Sequence, residues 1–275
     1  MFNKQSFLLK GKNMIQESVT ELYISYPGKG DRLVRVFVPA HEEGETFPVI
    51  YMTDGQNLFD EKTAVWGCWH TIESVNDELK NNGKAAVIVG IHNDNEWRDN
   101  ELTPAGIGEI IQAEDMVNFT APEGEIFDSF VMNNVKPVIE SRFPVKKGRE
   151  NTAFCGSSSG GLQAFFTALK HPDDFCISGV FSPAFLLYSE DSMRSWIYSV
   201  LKENLPYLYI YTGAGDDLEQ RIFQSVEQTY DILTECYPSE QLNELVLFDR
   251  KHNEEAWDFV FKDFLHTFLT RFASL

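Results

Sequence analysis

Short apolar runs alternate with longer segments of helical periodicity along most of this chain, and that alternation restricts the fold more than any other feature. The runs are "FPVIYMT" (47–53), "AAVIVGI" (85–91), "NTAFC" (151–155), "CISGVFS" (176–182), "YLYIYTG" (207–213) and "ELVLFD" (244–249). Continuous apolar runs of this length are what strands buried on both faces require. Helical patterns follow at Trp69–Asn81, where Gly83 can supply a left-handed cap, and at 125–143, with a bend expected at Pro137. Further helical patterns cover 160–171, 191–204, Glu219–Cys236 and 254–272. Strands alternating with helices imply an α/β fold, with a mostly parallel central sheet and helices on both faces. Two earlier segments, "VTELYISY" (19–26) and "LVRVFVP" (33–39), alternate polar with apolar across the turn "PGKGD". They read as an antiparallel N-terminal edge.

No repeat, low-complexity tract or Pro/Gly-rich linker divides the 275 residues, so 1–275 reads as a single α/β domain. Residues 1–18 read as a flexible leader, with Met14 an alternative start. "MFNKQSFLLKGKN" has too short an apolar core for a secretory signal, and no run approaches a membrane span, so the expected compartment is cytoplasmic. Cys68, Cys155, Cys176 and Cys236 form no CxxC pair, as in a reduced chain without disulfides. The six histidines have no metal-ligand spacing, and neither a metal nor a cofactor is expected. The formal charge of −19 argues against nucleic-acid or anionic-membrane partners. It also disfavours long-range capture of anionic substrates. A homo-oligomer is compatible with everything in the sequence.

In open sheets of this kind chemistry sits at the carboxyl ends of the strands. After "NTAFC" comes Gly156-Ser157-Ser158-Ser159-Gly160, then a helix. That is G-x-S-x-G between a strand and a helix, the nucleophile-elbow context. The turn is tight enough that residues two before and two after the nucleophile must be small. Only Ser158 has glycine at both places; centring on Ser157 or Ser159 brings Cys155 or Ser157 into a flanking position.

A serine hydroxyl needs a base, and in this fold the chain order is Ser, acid, His. His171 ends the helix that begins at the elbow, more than about 15 Å away. His266 lies deep in the last helix. His252, in "DRKHNEEAW", follows the last strand. For the acid, "YLYIYTGAGDDLEQ" offers Asp216, Asp217 and Glu219; Asp216 is the first choice and Asp217 the second, one of the pair serving as an N-cap. The oxyanion donors expected are the amide of Ser159 and Gln56 in "TDGQNLFD", where Gly55 permits close backbone approach.

Four segments, "YMTDGQNLFD", "RDNELTP", "GSSSGGLQA" and "KHNEEAW", resemble the putative-esterase branch of the α/β-hydrolases. That branch includes enterochelin-type, feruloyl and acetyl-xylan esterases and esterase D-like S-formylglutathione hydrolases. The resemblance spans roughly residues 20–272. It implies Ser158 as nucleophile, His252 as base and an acid in "GAGDD", matching Asp216 best, although some enterochelin-type members manage with a Ser–His pair. Ser159 stands where the branch more often has methionine. Arg98 and Glu101 match the pattern in "RDNELTP", as an ion pair holding the long loop at 92–122 or with Arg98 facing substrate. Trp66 and Trp69 are candidates for an aromatic pocket, and Asp217 for a substrate contact. The expectation is a cofactor-free serine carboxylesterase acting on a small-molecule or carbohydrate-linked ester. An acyltransferase on the same residues and a non-catalytic binding protein are the alternatives.

Overall fold

The computed structural model describes residues 13–111 and 121–273. Eight strands form its main sheet: β1 (Ser18–Tyr26), β2 (Gly30–Val38), β3 (Val49–Met52), β4 (Val87–Ile91), β5 (Thr152–Ser157), β6 (Ile177–Phe181), β7 (Tyr207–Gly213) and β8 (Leu242–Leu247). Their spatial order is β1-β2-β4-β3-β5-β6-β7-β8. From β4 across to β8 every neighbouring pair is parallel, while β1 pairs antiparallel with β2 and β2 antiparallel with β4. The antiparallel edge expected from the two alternating segments is therefore present, and the fold is that of an α/β-hydrolase.

The apolar runs fill the sheet because both faces are covered. Every residue of β3, β4 and β6 is buried. The covering helices are α1 (Thr71–Asn82), α2 (Gly124–Phe130), α3 (Lys136–Arg142), α4 (Ser159–Lys170), α5 (Glu190–Val200), α6 (Asp217–Cys236) and α7 (Glu254–Arg271). Helix α1 packs on α7, α5 on α6, and α4 on β5 and β6. Helix α7 illustrates the force involved. Trp257, Val260, Phe261, Phe264, Leu265, Phe268 and Leu269 recur at helical spacing and are all buried. Each such side chain contributes roughly 1.5–3 kcal/mol by leaving water.

The bend expected at Pro137 takes the form of a π-helical turn, Val131–Val135, between α2 and α3. Proline cannot donate to the preceding turn, and a wider turn accommodates the missing bond. Residues 1–12 of the expected leader and 112–120 of the long loop lie outside the described residues. Met14–Ile15 pairs antiparallel with His41–Glu42 and Ser18 opens β1, so the leader reading does not extend to them. Among the described residues no helix is long and apolar enough to cross a membrane.

Candidate active site

The three serines separate at the end of β5. Ser158 sits between β5 and α4 with φ 58° and ψ −124°, a backbone region costly for a residue with a side chain. Strain of this kind costs about 1–3 kcal/mol and persists only where the surroundings enforce it. They do so here by steric closeness. A Cβ on Gly156 would lie 2.4 Å from the Gly160 carbonyl oxygen, and one on Gly160 would lie 2.2 Å from Thr53 Oγ1. Ser158 donates its amide to Phe181 O at 3.0 Å, and its carbonyl accepts from Leu162 and Ala184. Ser157 is buried, its carbonyl accepting from Arg98 Nη2 at 3.2 Å. Ser159 donates its hydroxyl to Asp99 Oδ1 at 2.9 Å. Among the three, Ser158 is the serine whose hydroxyl meets a base.

That base is His252, whose Nε2 lies 3.0 Å from Ser158 Oγ. Its Nδ1 lies 2.5 Å from Glu219 Oε2. An ionised carboxylate only accepts, so Nδ1 carries the ring proton and Nε2 is left to accept from the serine hydroxyl. The imidazole stands edge-on to Trp257, with ring centroids 5.0 Å apart and planes at 88°.

The acid differs from expectation: the position beside Nδ1 is taken by Glu219, not Asp216. Glu219 is fully buried, and its other oxygen accepts from the Gly213 amide (2.7 Å), Ser182 Oγ (2.6 Å) and Thr212 Oγ1 (3.4 Å). Ser182 in turn accepts from Trp257 Nε1 at 3.0 Å. Asp216 is the N-cap of α6, its Oδ1 accepting from the Glu219 amide (2.9 Å) and its Oδ2 from the His252 amide (3.0 Å). Burial pushes the Asp216 carboxyl up, but those two amides and the nearby imidazole more than offset it, holding the group below the usual carboxylate range. The signal was present in the sequence. Asp216 followed three residues on by Glu219 is a capping-box spacing, which makes the first residue the cap and turns the third back toward the helix start. Ser182 carried no comparable signal.

The glycines of "GAGDD" serve the same junction. A Cβ on Gly215 would lie 2.7 Å from the Arg250 carbonyl, which accepts from the Gly215 amide at 2.7 Å. The acid loop and the histidine loop thus lie backbone against backbone.

The remaining expected residues divide. Ser159 is the first residue of α4, where a helix leaves its amides without intrahelical partners. Gln56 lies in a buried 3-10 turn, Gly55–Asn57, just after Thr53, the residue whose side chain packs on the elbow glycines. Neither Gln56 nor Ser159 lines the cleft over Ser158, whereas Asp54 and Asn57 do. Arg98 and Glu101 do not pair with each other. Arg98 clamps Asp54 through Nε (2.6 Å) and Nη2 (2.9 Å) and reaches Asp99 through Nη1 (3.0 Å). Burial alone would lower the Arg98 pKa; Asp54 and Asp99 raise it above its usual value. Glu101 is fully buried against Arg32 (2.6 and 2.7 Å), with Lys29 at 3.4 Å. Residues one helical turn apart here each hold a different part of the fold to the loop.

Trp66 is 77% exposed at the cleft, but Trp69 is core. Trp69 stacks on Phe181 at 5.6 Å and 2° and meets Trp257 and Phe261. Asp217 is exposed and does not line the cleft; its neighbour Leu218 does. The cleft holds about 470 Å³, with Ser158, His252, Trp66, Leu218, Asn57 and Glu254 in its wall.

Comparisons with known proteins place the chain in a family. Residues 27–261 match the family described as putative esterase. YbbA of Bacillus subtilis strain 168, an uncharacterized protein, is 24% identical over 197 residues, which is 71% of this chain and 73% of YbbA. An endo-1,4-beta-xylanase/feruloyl esterase of Xylanibacter ruminicola is 26% identical over 190 residues, 66% of this chain but 22% of that protein. Among solved structures, siderophore hydrolase EstB from Aspergillus nidulans superposes with a TM-score of 0.67 at 18% identity, over 94% of this chain and 98% of EstB. Ferric enterobactin esterase from Salmonella typhimurium gives 0.67 at 18% identity, over 92% of this chain and 58% of that one. The family match, which runs over residues 27–261, makes this chain a member of the putative esterase family.

Proposed function

We propose that the protein is a serine carboxylesterase acting on small-molecule esters through an acyl-enzyme on Ser158. The observation that carries this reading is the hydrogen-bond chain Ser158 Oγ, His252 Nε2, His252 Nδ1, Glu219 Oε2. His252 takes the hydroxyl proton as Ser158 attacks the ester carbonyl, and Glu219 stabilises the imidazolium. The Ser159 amide, at the start of α4, and the Gln56 amide are assigned to the oxyanion. His252 then returns the proton to the leaving alcohol, and water, activated by the same imidazole, releases the acid. Neither metal nor cofactor has a role in this cycle. The chain is read as one catalytic domain. The activities for which similar proteins are named, on ferulic acid esters and siderophores, mark the range of esters to screen.

The test is p-nitrophenyl acetate hydrolysis together with fluorophosphonate labelling. Ser158→Ala should lose both while keeping its melting temperature. Retained turnover, or a label on Ser157 or Ser159, overturns the assignment.

A further inference from the structure

The cleft over Ser158 contains two kinds of charge. Arg98 is clamped by Asp54 and Asp99, so its guanidinium is already matched by two carboxylates. Glu254 is different. It is 7% exposed, stands at the first position of α7 and lines the same cleft. Its side-chain partner among the described residues is Asn57 Nδ2, a neutral donor, on Oε1 at 3.2 Å. No lysine, arginine or histidine ion pair includes it among those residues. A buried carboxylate without a counterion is costly, and the positive end of α7 offsets only part of that cost. Burial and the charge of Asp54 push its carboxyl above the usual range, against its own amide, Arg98 and His252.

The walls beside it are aromatic. Trp66 presents a largely exposed indole at the cleft, and Trp257 lines its inner side. A carboxylate sharing a cleft wall with two indoles is an arrangement that attracts a cation, through charge and through the ring quadrupoles together. The same arrangement repels a substrate carboxylate, and the −19 charge of the whole chain adds a weaker, longer-ranged bias in the same direction.

We propose that this cleft is built for esters carrying a cationic group, an ammonium above all, with Glu254 as the counterion and Trp66 and Trp257 as the apolar wall. The proposal rests on the reading of the cleft as the ester site. It names Glu254 as a specificity-determining residue rather than a participant in proton transfer.

The test uses choline and its neutral carbon isostere, dimethylbutanol, as inhibitors of p-nitrophenyl acetate hydrolysis by the full chain. The butyrate esters of both alcohols serve as substrates. Choline should inhibit about 10-fold more tightly than its isostere, as expected for about 1.4 kcal/mol of charge attraction. Glu254→Gln should bring the two inhibition constants together and reduce the kcat/KM ratio of the two esters by a similar factor. Trp66→Ala should reduce it severalfold. The preference should survive about 1 M salt, where the Debye length is only about 3 Å. Equal inhibition in the wild type, a preference unaltered by Glu254→Gln, or one abolished by salt would each overturn the proposal. These failures are distinct from that of the esterase reading, which falls if Ser158→Ala keeps its turnover or if the fluorophosphonate labels Ser157 or Ser159 instead.

Discussion

Asp216 Oδ2 accepts the backbone amide of His252 at 3.0 Å, so this carboxylate holds the histidine's backbone and leaves its ring to Glu219. This divides the work of two acids three residues apart. Glu219→Gln keeps the shape but offers an amide that can no longer hold the imidazole tautomer or balance its charge. The expected result is a kcat lower by about 10³–10⁴-fold with KM little altered. Asp216→Asn retains one good acceptor and should cost roughly 10-fold in kcat. Asp216→Ala should also lose about 1 kcal/mol of stability as an unfilled N-cap. Kinetics and urea unfolding of the three variants separate the roles. A larger kcat loss for Asp216→Asn than for Glu219→Gln would reverse them.

The elbow packs its glycine backbone closely against the side chains of Thr53 and Asp54, which a methyl group tests directly. Gly160→Ala would put its Cβ 2.2 Å from Thr53 Oγ1 and 3.0 Å from Asp54 Oδ2. Overpacking of this kind typically costs about 1–3 kcal/mol, and here the strain falls on the residues flanking Ser158. The variant should lose most activity along with stability. Thr53→Ala removes the closest atom and should restore part of the stability in the double variant, a coupling measurable by a double-mutant cycle. Strict additivity of the two changes would show that the collision is relieved elsewhere.

The strands, the helices and the Ser158–His252 pair were legible because each depends on local pattern. Buried strands are apolar throughout, α7 repeats at helical spacing, and the elbow needs small residues at fixed offsets. The acid was harder because Asp216, Asp217 and Glu219 all lie within one helix start, and only the direction of each side chain distinguishes them. The cap spacing settles that direction, yet it reads as helix grammar rather than catalysis. Trp66 and Trp69 were indistinguishable for a similar reason. They are three residues apart in an irregular segment without periodicity, so nothing in the sequence says that one faces solvent and the other stacks on Phe181. The partners of Arg98 and Glu101 lie far along the chain, at Asp54 and Arg32, and no local rule reaches that distance.

Those long-range pairs carry stability as well as position. Arg98 joins Asp54, which precedes the Gly55–Asn57 turn, to the carbonyl of Ser157 and to Asp99, which accepts from Ser159. Arg98→Ala leaves the Asp54 carboxylate, itself 6% exposed, without its cation. Loss of one partner from a fully buried pair costs about 3–5 kcal/mol, and the partial exposure of Arg98 should bring the cost here to the lower end of that range. Arg98→Lys keeps the charge but not the two-pronged contact, and should lie between wild type and alanine. Urea midpoints for the two variants, with p-nitrophenyl acetate rates beside them, give the order. An alanine variant as stable as the wild type would remove the brace from the account.

His92, the residue after β4, gives the chain a pH-dependent stability. Burial, then the charges of Arg35 and Arg32, lowers its pKa from 6.5 to about 4, despite Asp54. Its Nε2 is buried without a hydrogen-bond partner among the described residues, so a second ring proton would have no acceptor. The folded state therefore resists protonation that the unfolded chain accepts. Stability contributed by the neutral ring is fully present above the ordinary pKa of about 6.5 and declines as pH falls toward about 4. With discount for partial exposure, the loss should approach roughly 2 kcal/mol. Urea midpoints measured from about pH 7 down to about pH 5 should fall more steeply for the wild type than for His92→Gln, which has no proton to take up. Parallel slopes for the two proteins would mean that the imidazole finds an acceptor or water on protonation.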